Sequence, residues 1–436
     1  MTFVETIRNA GILGAGGAGF PAHVKYGREA EILIINGAEC EPLSRKDAAI
    51  LAHRAADVVT AAGTLREELR AREVILAVKG PAATEISGLY GGVRIHPLPE
   101  VYPAGDEAVL VYEVAGRRVP ADGVPPDVGV VVSNVETVLN VARAGRGAPV
   151  LTTWVTVAGA VREPFTAEVP VGTGARFLID EAGGPAVADY VVFEGGPMMG
   201  EEVDPASFGV GPTTGLILVL PAGHPVVARN RLPLEHVRTI AGSACTQCRD
   251  CTEMCPRYLL GYDVTPHLSM RRFFSWGDDA AAAGEFFANA AGCTGCGLCE
   301  LYACPMAISP RRVQLHLREI VTAARAEGAG EVHADRSGRQ VPAGRLKKRI
   351  EVDEYDRPAP LRELAEAPRT VTIKLVQPYA GALDVLVREG DRVEAGQVLA
   401  KPKEGDDRAV PAYASIGGRV AAAGPGEVTI DRTQVA

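Results

Sequence analysis

Short apolar runs and an amphipathic stretch alternate along the first 150 residues. Residues 31–36 (EILIIN), 74–78 (VILAV) and 128–132 (VGVVV) are almost continuously apolar and have the length of strands buried on both faces. Residues 45–63, which follow the first run, place apolar side chains at helical spacing. This order predicts an α/β domain over residues 1–150, with a parallel sheet that would bind a ligand at the carboxyl ends of its strands.

Residues 151–235 show the pattern of a small β-rich domain. Residues 152–161 alternate and are rich in β-branched side chains, so they predict a strand, while residues 175–184 have helix length and end on glycines. Residues 189–200 predict a strand followed by a glycine-rich turn, and residues 216–220 predict another strand. This order of strands and helix predicts a β-grasp domain.

The remainder of the chain divides at a polar, glycine-rich stretch. Residues 236–328 hold an alanine-rich segment at 265–291 and an amphipathic stretch after Pro310, so they predict a helical domain. Residues 328–344 have the composition of a linker. Residues 345–436 predict a C-terminal β module.

Composition and charge exclude several classes of protein. The chain has 436 residues, 47% of them hydrophobic and 23% charged, which is the balance of a globular protein. The net charge of −9 argues against nucleic acid as a general partner. No apolar run approaches the ~18 residues of a transmembrane helix, and the first residues lack the features of a secretory signal. We therefore expect a cytoplasmic protein without a transmembrane segment. The sequence leaves open whether the chain forms a homo-oligomer.

Eight of the nine cysteines form two runs between residues 245 and 304. The first run is C-x2-C-x2-C-x3-C-P and the second is C-x2-C-x2-C-x4-C-P. Three closely spaced cysteines can bind one [4Fe–4S] cluster together with a fourth, which in two-cluster ferredoxins comes from the opposite run. The predicted ligands are Cys245, Cys248, Cys251 and Cys304 for one cluster, and Cys293, Cys296, Cys299 and Cys255 for the other.

Other uses of these cysteines fit the pattern less well. Zinc sites use C-x2-C pairs rather than triplets followed by Cys-Pro, and disulfide frameworks are typical of short secreted chains. Cys40 stands outside both runs and is expected to be a small buried residue. His316 is expected to be structural, because eight cysteines already fill two sites. Five aromatic residues between the runs are expected to form a dry shell around the clusters: Phe273, Phe274, Trp276, Phe286 and Phe287.

A glycine-rich loop precedes the first predicted strand. Residues 14–26 (GAGGAGFPAHVKY) begin with four glycines in six positions, which lets backbone N–H groups approach a phosphate, and Lys25 could neutralise that phosphate. Residues 36–42 (NGAECEP) and 133–137 (SNVET) lie at the ends of two predicted strands. A single loop of this kind is weak evidence, and acidic residues such as Glu39, taken alone, are typical of a solvated loop.

The three motifs, in this order and spacing, resemble the FMN-bearing subunit of respiratory complex I and its relatives. These relatives include the C subunit of the Rnf complex and the PduS-type cobalamin reductases of propanediol-utilisation microcompartments. The resemblance covers nearly the whole chain. It favours the cobalamin reductases, because the β module that resembles biotinyl and lipoyl domains stands at the C-terminus, as in the PduS type.

This resemblance implies the fold and the cofactors. The expected domains are a Rossmann-like flavin domain, a soluble-ligand-binding β-grasp (SLBB) domain, an α-helical ferredoxin domain with two [4Fe–4S] clusters, and a barrel-sandwich hybrid without a swinging lysine. The turn GGPMMG resembles a signature of the Rnf and PduS members, and its Met198 and Met199 are expected to pack rather than to bind a cofactor.

The resemblance also implies roles for individual residues. The FMN phosphate and ribityl chain would be held by Gly14, Gly16, Gly17 and Lys25. The flavin would be contacted by Asn36, Glu39, Asn134 and Thr137. A second flavin and nicotinamide segment is matched by Tyr102, Gly105, Asp106 and Glu107. The positions near NADH are Phe20, Glu41 and Glu107, of which Glu41 and Glu107 are the candidate catalytic residues.

The expected function is electron transfer from NADH through FMN and two [4Fe–4S] clusters to a low-potential acceptor. Cob(II)alamin held by a corrinoid adenosyltransferase is the first candidate, and residence in a bacterial microcompartment with its shell proteins is implied. Two alternatives stay open: a peripheral C-like subunit of an Rnf-type ferredoxin:NAD oxidoreductase, and an electron relay without NADH activity. The relay is motivated by Ala15 and Ala38, which replace an arginine and an acidic residue of the complex I subunit. Ser133, in place of an asparagine, and the lack of an adenine-stacking phenylalanine near Arg28 are further departures from that subunit.

Overall fold

The computed structural model describes residues 1–80, 92–276, 288–320 and 330–432. The first domain is built on a four-stranded parallel sheet with the spatial order β3-β2-β1-β5. Its elements are α1 (Phe3–Asn9), α2 (Ala22–Lys25), β1 (Ile32–Gly37), α3 (Lys46–Glu68), β2 (Glu73–Lys79), β3 (Val93–Leu98), β4 (Val101–Tyr102), α4 (Glu107–Ala115), β5 (Val130–Asn134) and α5 (Val135–Gly145).

Burial on both faces explains why the sequence of strand β1 is continuously apolar. Leu33 and Ile35 belong to one buried core and Ile34 to the core on the opposite face of the sheet. Because successive side chains point to opposite faces, a strand covered on both sides has no position for a polar residue. The three predicted strands and the first helix are confirmed, whereas β3 was missed because only its first and last residues are buried.

The second domain contains a five-stranded sheet in the order β7-β6-β10-β8-β9. Its elements are β6 (Thr152–Gly159), β7 (Phe165–Pro170), α6 (Ala175–Glu181), β8 (Tyr190–Glu194), β9 (Glu201–Val203) and β10 (Leu216–Pro221). Strands β6 and β10 are parallel, and the other pairs are antiparallel. Gly159, with φ of +93°, ends β6 where a Cβ atom would lie 2.0 Å from the Val219 carbonyl oxygen, so only glycine fits there.

Short helices carry the two cysteine runs. They are α7 (Pro225–Arg231), α8 (Leu234–Ala244), α9 (Asp250–Glu253), α10 (Pro256–Leu259), α11 (Pro266–Trp276), a π-helical turn (Leu298–Ala303) and α12 (Pro310–Ile320). Phe273 is buried in the core between α8, α11 and α12, whereas Phe274 is half exposed. Phe286, Phe287 and the Trp276 side chain lie outside the described part of the structure. None of the helices described is both long and apolar enough to span a membrane.

Residues 330–355 correct the prediction of a linker. Strand β11 (Val341–Pro342) pairs antiparallel with β4 of the first domain, and helix α13 (Ala343–Arg349) follows. Val341 and Leu346 are fully buried. The segment, which we call the strap (residues 330–355), therefore packs against the first domain and the cysteine region instead of running free.

The C-terminal module consists of two small antiparallel sheets. Their strands are β12 (Thr370–Lys374), β13 (Asp384–Val385), β14 (Arg392–Val393), β15 (Val398–Lys401), β16 (Ala412–Tyr413), β17 (Gly418–Ala423) and β18 (Glu427–Asp431). The sheets have the orders β12-β18-β17-β14 and β13-β15-β16 and enclose one apolar core. The first strand of the module begins at Thr370, whereas the sequence analysis begins the module at residue 345.

Candidate active site

The strand order of the first domain creates a binding edge between β1 and β5. The chain leaves β1 towards β2 on one side and returns to β5 on the other, which is the point where open α/β sheets bind ligands. Asn36 and Asn134, the last polar residues of these strands, are direct neighbours in the parallel register. The Asn36 amide donates to the Gly105 carbonyl oxygen at 3.0 Å. Three segments predicted to contact the flavin thus meet at one edge.

The glycine loop, residues 14–20, lies over this edge. The Gly14 N–H donates to the Phe20 carbonyl oxygen at 2.9 Å, which closes the loop on itself. Gly16 lies against Asn134, because a Cβ atom at this glycine would be 3.4 Å from the Asn134 Cβ. Gly17, with φ of +100°, has no atom within 4 Å of the position a Cβ would take. The loop therefore offers exposed backbone and open space, and its binding of a phosphate stays a prediction.

Ala15, which stands where the complex I subunits carry an arginine, forms its hydrogen bonds through its backbone. Its N–H donates to the Thr137 hydroxyl at 2.9 Å, and its carbonyl oxygen accepts from the Lys46 ammonium at 2.6 Å. Its methyl group is buried. Ser133 also differs from the residue of the complex I subunits. Its hydroxyl forms a hydrogen bond of 2.6 Å with the buried Tyr26 hydroxyl. Both residues thus fit the local structure without an arginine or asparagine side chain.

Lys25 and Glu107 form one ion pair at the rim of this edge. The Lys25 ammonium lies 2.8 Å from the Glu107 carboxylate and donates to the Val132 carbonyl oxygen at 2.9 Å. It also lies 5.9 Å from the ring centre of Phe20. The predicted phosphate-binding lysine, a predicted catalytic carboxylate and a predicted NADH contact therefore lie together, and the lysine charge is balanced by Glu107.

Glu39 has a structural partner that the sequence did not indicate. Its carboxylate accepts from the backbone N–H groups of Lys46 and Asp47 at 2.9 and 3.1 Å, and from the Ser44 hydroxyl. These groups stand at the start of helix α3, where backbone donors lack intrahelical partners. Glu39 thus caps α3 from outside the helix, and its contact with the flavin stays a prediction.

A buried charge network below the glycine loop was missed by sequence reasoning. The Lys46 ammonium lies 2.9 Å from the Glu136 carboxylate, and Glu136 also accepts from the Thr153 hydroxyl and the Trp154 N–H of strand β6. Lys46 and Glu136 are almost fully buried. Both stand in the first turn of a helix, where charged residues are normally solvated, so no local pattern signalled their burial.

Asp47 belongs to the same network. Its Oδ2 accepts from the Asn134 amide at 2.9 Å, while its Oδ1 is buried without a hydrogen-bond partner. Burial raises the pKa of Asp47, against the opposing effect of Lys46 at 3.9 Å. The Asp47 carboxyl group therefore fixes the side chain of Asn134, a predicted flavin contact.

Glu41 is held by the second domain. Its carboxylate accepts from the Met198 and Met199 N–H groups at 2.6 and 3.3 Å, and a Cβ at Gly196 would lie 2.1 Å from the Glu41 Cγ. Burial raises the pKa of Glu41 to about 7. This predicted catalytic residue therefore joins the turn of residues 195–200 to the first domain. Met198 is buried as expected, and Met199 is half exposed.

The segment of residues 102–106 contacts the cysteine region directly. The Tyr102 hydroxyl donates to the Cys296 carbonyl oxygen at 2.6 Å, and the Asp106 carboxylate lies 3.3 Å from the Arg257 guanidinium. Asp106 also accepts from the first backbone N–H groups of α4. The predicted flavin segment and one cysteine run therefore share an interface.

Two cavities are each lined by four cysteines. One is lined by Cys245, Cys248, Cys251 and Cys304, together with Gln247, His267 and Met306. The other is lined by Cys255, Cys293, Cys296 and Cys299, together with Arg257 and Arg311. Each cavity receives three cysteines from one run and the fourth from the other, which is the grouping that the sequence predicts.

The thiols within each cavity influence one another. Burial, followed by the charges of Cys304, Cys248 and Cys245, raises the pKa of Cys251 to about 12. Burial and the charges of Cys293 and Cys296 raise the pKa of Cys299. Such groups need a cation to become thiolates, and an iron–sulfur cluster supplies it. The described residues contain no group of three or more His, Cys, Asp or Glu suited to a single metal ion.

The two cavities differ in exposure. Cys248 is exposed, and Met306 beside it is 45% exposed. Cys255 and Cys299 are buried, and their cavity adjoins Tyr102 and Asp106 of the first domain. We call the first the outer cavity and the second the inner cavity.

Two residues pack beside the site without lining either cavity, and Cys40 is less buried than the sequence predicts. All nine cysteines are free, and Cys40 is partly buried beside Gly105, where burial raises its pKa to about 12. His316 packs edge-on against Phe273 at 5.7 Å and lines neither cavity. Both are therefore parts of the packing around the site.

Comparison with known proteins assigns the chain to a family. Cobalamin reductase PduS of Salmonella typhimurium is 38% identical over 98% of this chain and 96% of that protein, and its counterpart from Citrobacter freundii is 37% identical over 99% and 96%. The chain belongs to the PduS cobalamin reductase family. The C subunit of the ion-translocating oxidoreductase complex of Pseudomonas aeruginosa is 33% identical over 64% of this chain and 35% of that protein.

Three family models match parts of this PduS-family chain. The Nuo51 FMN-binding domain matches residues 7–143, the SLBB domain matches residues 154–202, and the 4Fe-4S dicluster domain matches residues 244–309. These ranges contain the parallel sheet with its glycine loop, most of the five-stranded sheet except β10, and the cysteines that line the two cavities. The protein is therefore an oxidoreductase of the flavin and iron–sulfur type, and the family resemblance predicted from the motifs is confirmed.

Proposed function

We propose that this protein oxidises NADH and delivers the electrons, through bound FMN and two [4Fe–4S] clusters, to a low-potential acceptor. The first candidate for this acceptor is cob(II)alamin. The proposal is carried by the contact between the flavin segment and the inner cavity, where the Tyr102 hydroxyl reaches the Cys296 carbonyl oxygen. The names of the two PduS relatives support the acceptor.

The residues present fit both kinds of cofactor. The open space at Gly17 and the adjacent edge of Asn36 and Asn134 would hold FMN. The four cysteines of each cavity would hold one cluster. When bound, FMN exchanges an electron pair with a nicotinamide and single electrons with a cluster.

The protein's own residues would keep the components in place. Lys25, paired with Glu107 at the rim, would supply the cation beside the phosphate of a bound nucleotide. The Asp106–Arg257 ion pair ties the flavin segment to the inner cavity. The exposed Cys248 places the outer cavity at the surface that an acceptor can reach.

The finer fold assignments form part of this proposal. The strand order around β1 and β5 supports a Rossmann-like flavin domain, and the mixed sheet packed on α6 supports a β-grasp. The two antiparallel sheets after Thr370 support a barrel-sandwich hybrid. We further propose residence in a bacterial microcompartment, with shell proteins and a corrinoid adenosyltransferase as partners.

The test is anaerobic reconstitution followed by rapid mixing. We expect one FMN and about two cubane clusters per chain, bleaching of the flavin by NADH, and reduction of cob(II)alamin that depends on NADH. A reconstituted protein whose flavin does not bleach at about 1 mM NADH, the upper end of ordinary KM values, would be an electron relay instead.

A second candidate is a peripheral member of an ion-translocating complex. It is favoured by the 33% identity to the C subunit from Pseudomonas aeruginosa, although the chain spans only 35% of that protein. Native purification distinguishes the two: co-purification with integral membrane proteins at constant ratio supports the complex, whereas purification without them supports the reductase.

A further inference from the structure

The C-terminal module packs beside the glycine loop of the first domain. Four hydrogen bonds hold the two together on the α1–α2 side. The Arg8 guanidinium donates to the Ala409 and Asp406 carbonyl oxygens at 3.2 and 2.6 Å. The His23 ring nitrogen lies 2.8 Å from the Asp407 carbonyl oxygen, and the Tyr413 hydroxyl donates to the Asn9 carbonyl oxygen. The module is therefore attached beside the predicted nucleotide site rather than at a distance from it.

One turn of the module touches the loop itself. At Gly19, with φ of +68°, a Cβ atom would lie 2.8 Å from the Pro378 ring, so glycine is required at this contact. The preceding residue, Gln377, is buried and fixes the turn, because its side-chain amide donates to the Val410 carbonyl oxygen at 2.7 Å and accepts from the Val410 N–H at 3.0 Å. The turn thus has a defined position over the loop.

This fixed turn presents an aromatic ring next to Phe20. The rings of Tyr379 and Phe20 are 5.3 Å apart between centres and stand at 67°, an edge-to-face arrangement. Tyr379 is 42% exposed, so part of its ring surface is free.

The surroundings of the pair indicate which ligand it would take. The Lys25 ammonium lies 5.9 Å from the Phe20 ring centre, and the open backbone of Gly17 lies in the same loop. Two aromatic rings beside a cation and an open glycine suit a planar ring joined to phosphates. Bases stack on aromatic side chains with little dependence on their hydrogen-bonding edges.

We propose that Tyr379 of the C-terminal module forms, together with Phe20, the stacking surface for the purine ring of the nicotinamide dinucleotide. The proposal rests on the proposed function, since it names a binding residue for the NADH that this function requires. It makes the C-terminal module a part of the nucleotide site: Tyr379 supplies a second ring across the domain boundary.

The decisive experiment compares two reductants on the reconstituted protein. NADH carries the purine, and reduced nicotinamide mononucleotide lacks it. Tyr379→Ala should raise KM for NADH about 5- to 100-fold, the range measured when an aromatic stacking partner of a base is removed, and should leave kcat/KM for the mononucleotide unchanged. Tyr379→Phe should keep the wild-type KM, because the ring remains.

Binding provides a readout that is independent of turnover. Calorimetric titration with ADP-ribose, which has the purine but no nicotinamide, should show the same loss of affinity in Tyr379→Ala. Val376→Ala is the matched control, because Val376 is 76% exposed on the same turn and has no described contact with the loop. It should bind ADP-ribose like the wild type.

Three results separate the possible failures. An equal loss for NADH and the mononucleotide in Tyr379→Ala would mean that the tyrosine only supports the loop, and would overturn the inference. An unchanged KM for NADH and unchanged ADP-ribose affinity would overturn it as well. A wild-type protein that binds FMN but does not oxidise NADH would contradict the proposed function itself.

Discussion

At the scale of single residues, a network of buried charges joins the glycine loop to helices α3 and α5. Lys46 is the centre of this network, since its ammonium is bonded to the Ala15 carbonyl oxygen and to the Glu136 carboxylate. A buried ion pair adds little over an apolar pair, but removal of one partner leaves the other charge uncompensated. Because Lys46 is buried, water cannot replace the hydrogen bond that its ammonium donates to the glycine loop.

Lys46→Met should destabilise the first domain by about 3–5 kcal/mol, because the Glu136 and Asp47 carboxylates would stay buried without their cation. Urea unfolding followed by the fluorescence of bound flavin measures this loss, and FMN affinity should fall with it. The control is Lys348→Met on the exposed face of α13. Equal stability of the two variants would contradict the role of the network.

Glu41 makes the stability of the molecule dependent on pH. Its pKa is raised from its ordinary value to about 7, so the free energy it contributes is fully present below about pH 4.5 and is lost as the pH rises through 7. The loss amounts to roughly 3 kcal/mol. Glu41→Gln keeps a hydrogen-bond acceptor for Met198 and removes the titration.

The prediction is that the melting temperature of Glu41→Gln, relative to wild type, rises between pH 5 and pH 8. Scanning calorimetry of both proteins under anaerobic conditions measures it, with Glu366→Gln, an exposed position, as the control. A constant difference across this range would show that the Glu41 carboxyl does not titrate there.

At the scale of elements, the strap shows how composition can mislead. Its polar, glycine-rich beginning predicts a linker, yet β11 pairs with β4, and Arg336 forms a half-buried ion pair with Glu113 of α4. Only two residues of the strap form a strand, which is too short for periodicity to reveal. Tertiary contacts, rather than local propensity, give this segment its structure.

Leu346→Ala should cost about 2–5 kcal/mol, because Leu346 is fully buried between the strap and the core of the second domain. The strap should then open locally, and hydrogen exchange at the Val341 amide, which is paired with Tyr102, should accelerate. Lys348→Ala on the same helix is the exposed control. Unchanged exchange in Leu346→Ala would mean that other contacts alone hold the strap.

At the scale of the whole molecule, the two cavities differ in what lies next to them. The inner cavity contacts the flavin segment through Tyr102, and the outer cavity exposes Cys248. Each cavity takes its fourth cysteine from the opposite run. Both runs must therefore be folded against each other before either cavity is complete. In the proposed electron path, the inner cavity would receive electrons from the flavin and the outer cavity would pass them to the acceptor.

Cys248→Ser should remove about half of the bound iron, since one of two clusters loses a ligand. Flavin reduction by NADH should persist, while delivery to cob(II)alamin should fall. Iron analysis and rapid mixing measure the two effects, and Cys40→Ser, which lines neither cavity, should retain all the iron. Loss of all the iron in Cys248→Ser would contradict two independent sites.

The sequence by itself determined the features that are local or that follow a spacing rule. Continuous apolar runs predict β1, β2 and β5 because burial on both faces excludes polar residues, and the two cysteine runs predict the grouping seen in the cavities because each ligand set needs three close cysteines and one distant one. The same motifs predicted the family.

Only the tertiary structure decided which charges are buried and which domains meet. Lys46, Glu41 and Tyr379 each interact with a residue at least 90 positions away in the chain, and no pattern within a helix or turn records such a partner. The physical reason is that burial of a charge or placement of a ring depends on what packs against it. That information arises only when separate elements come together.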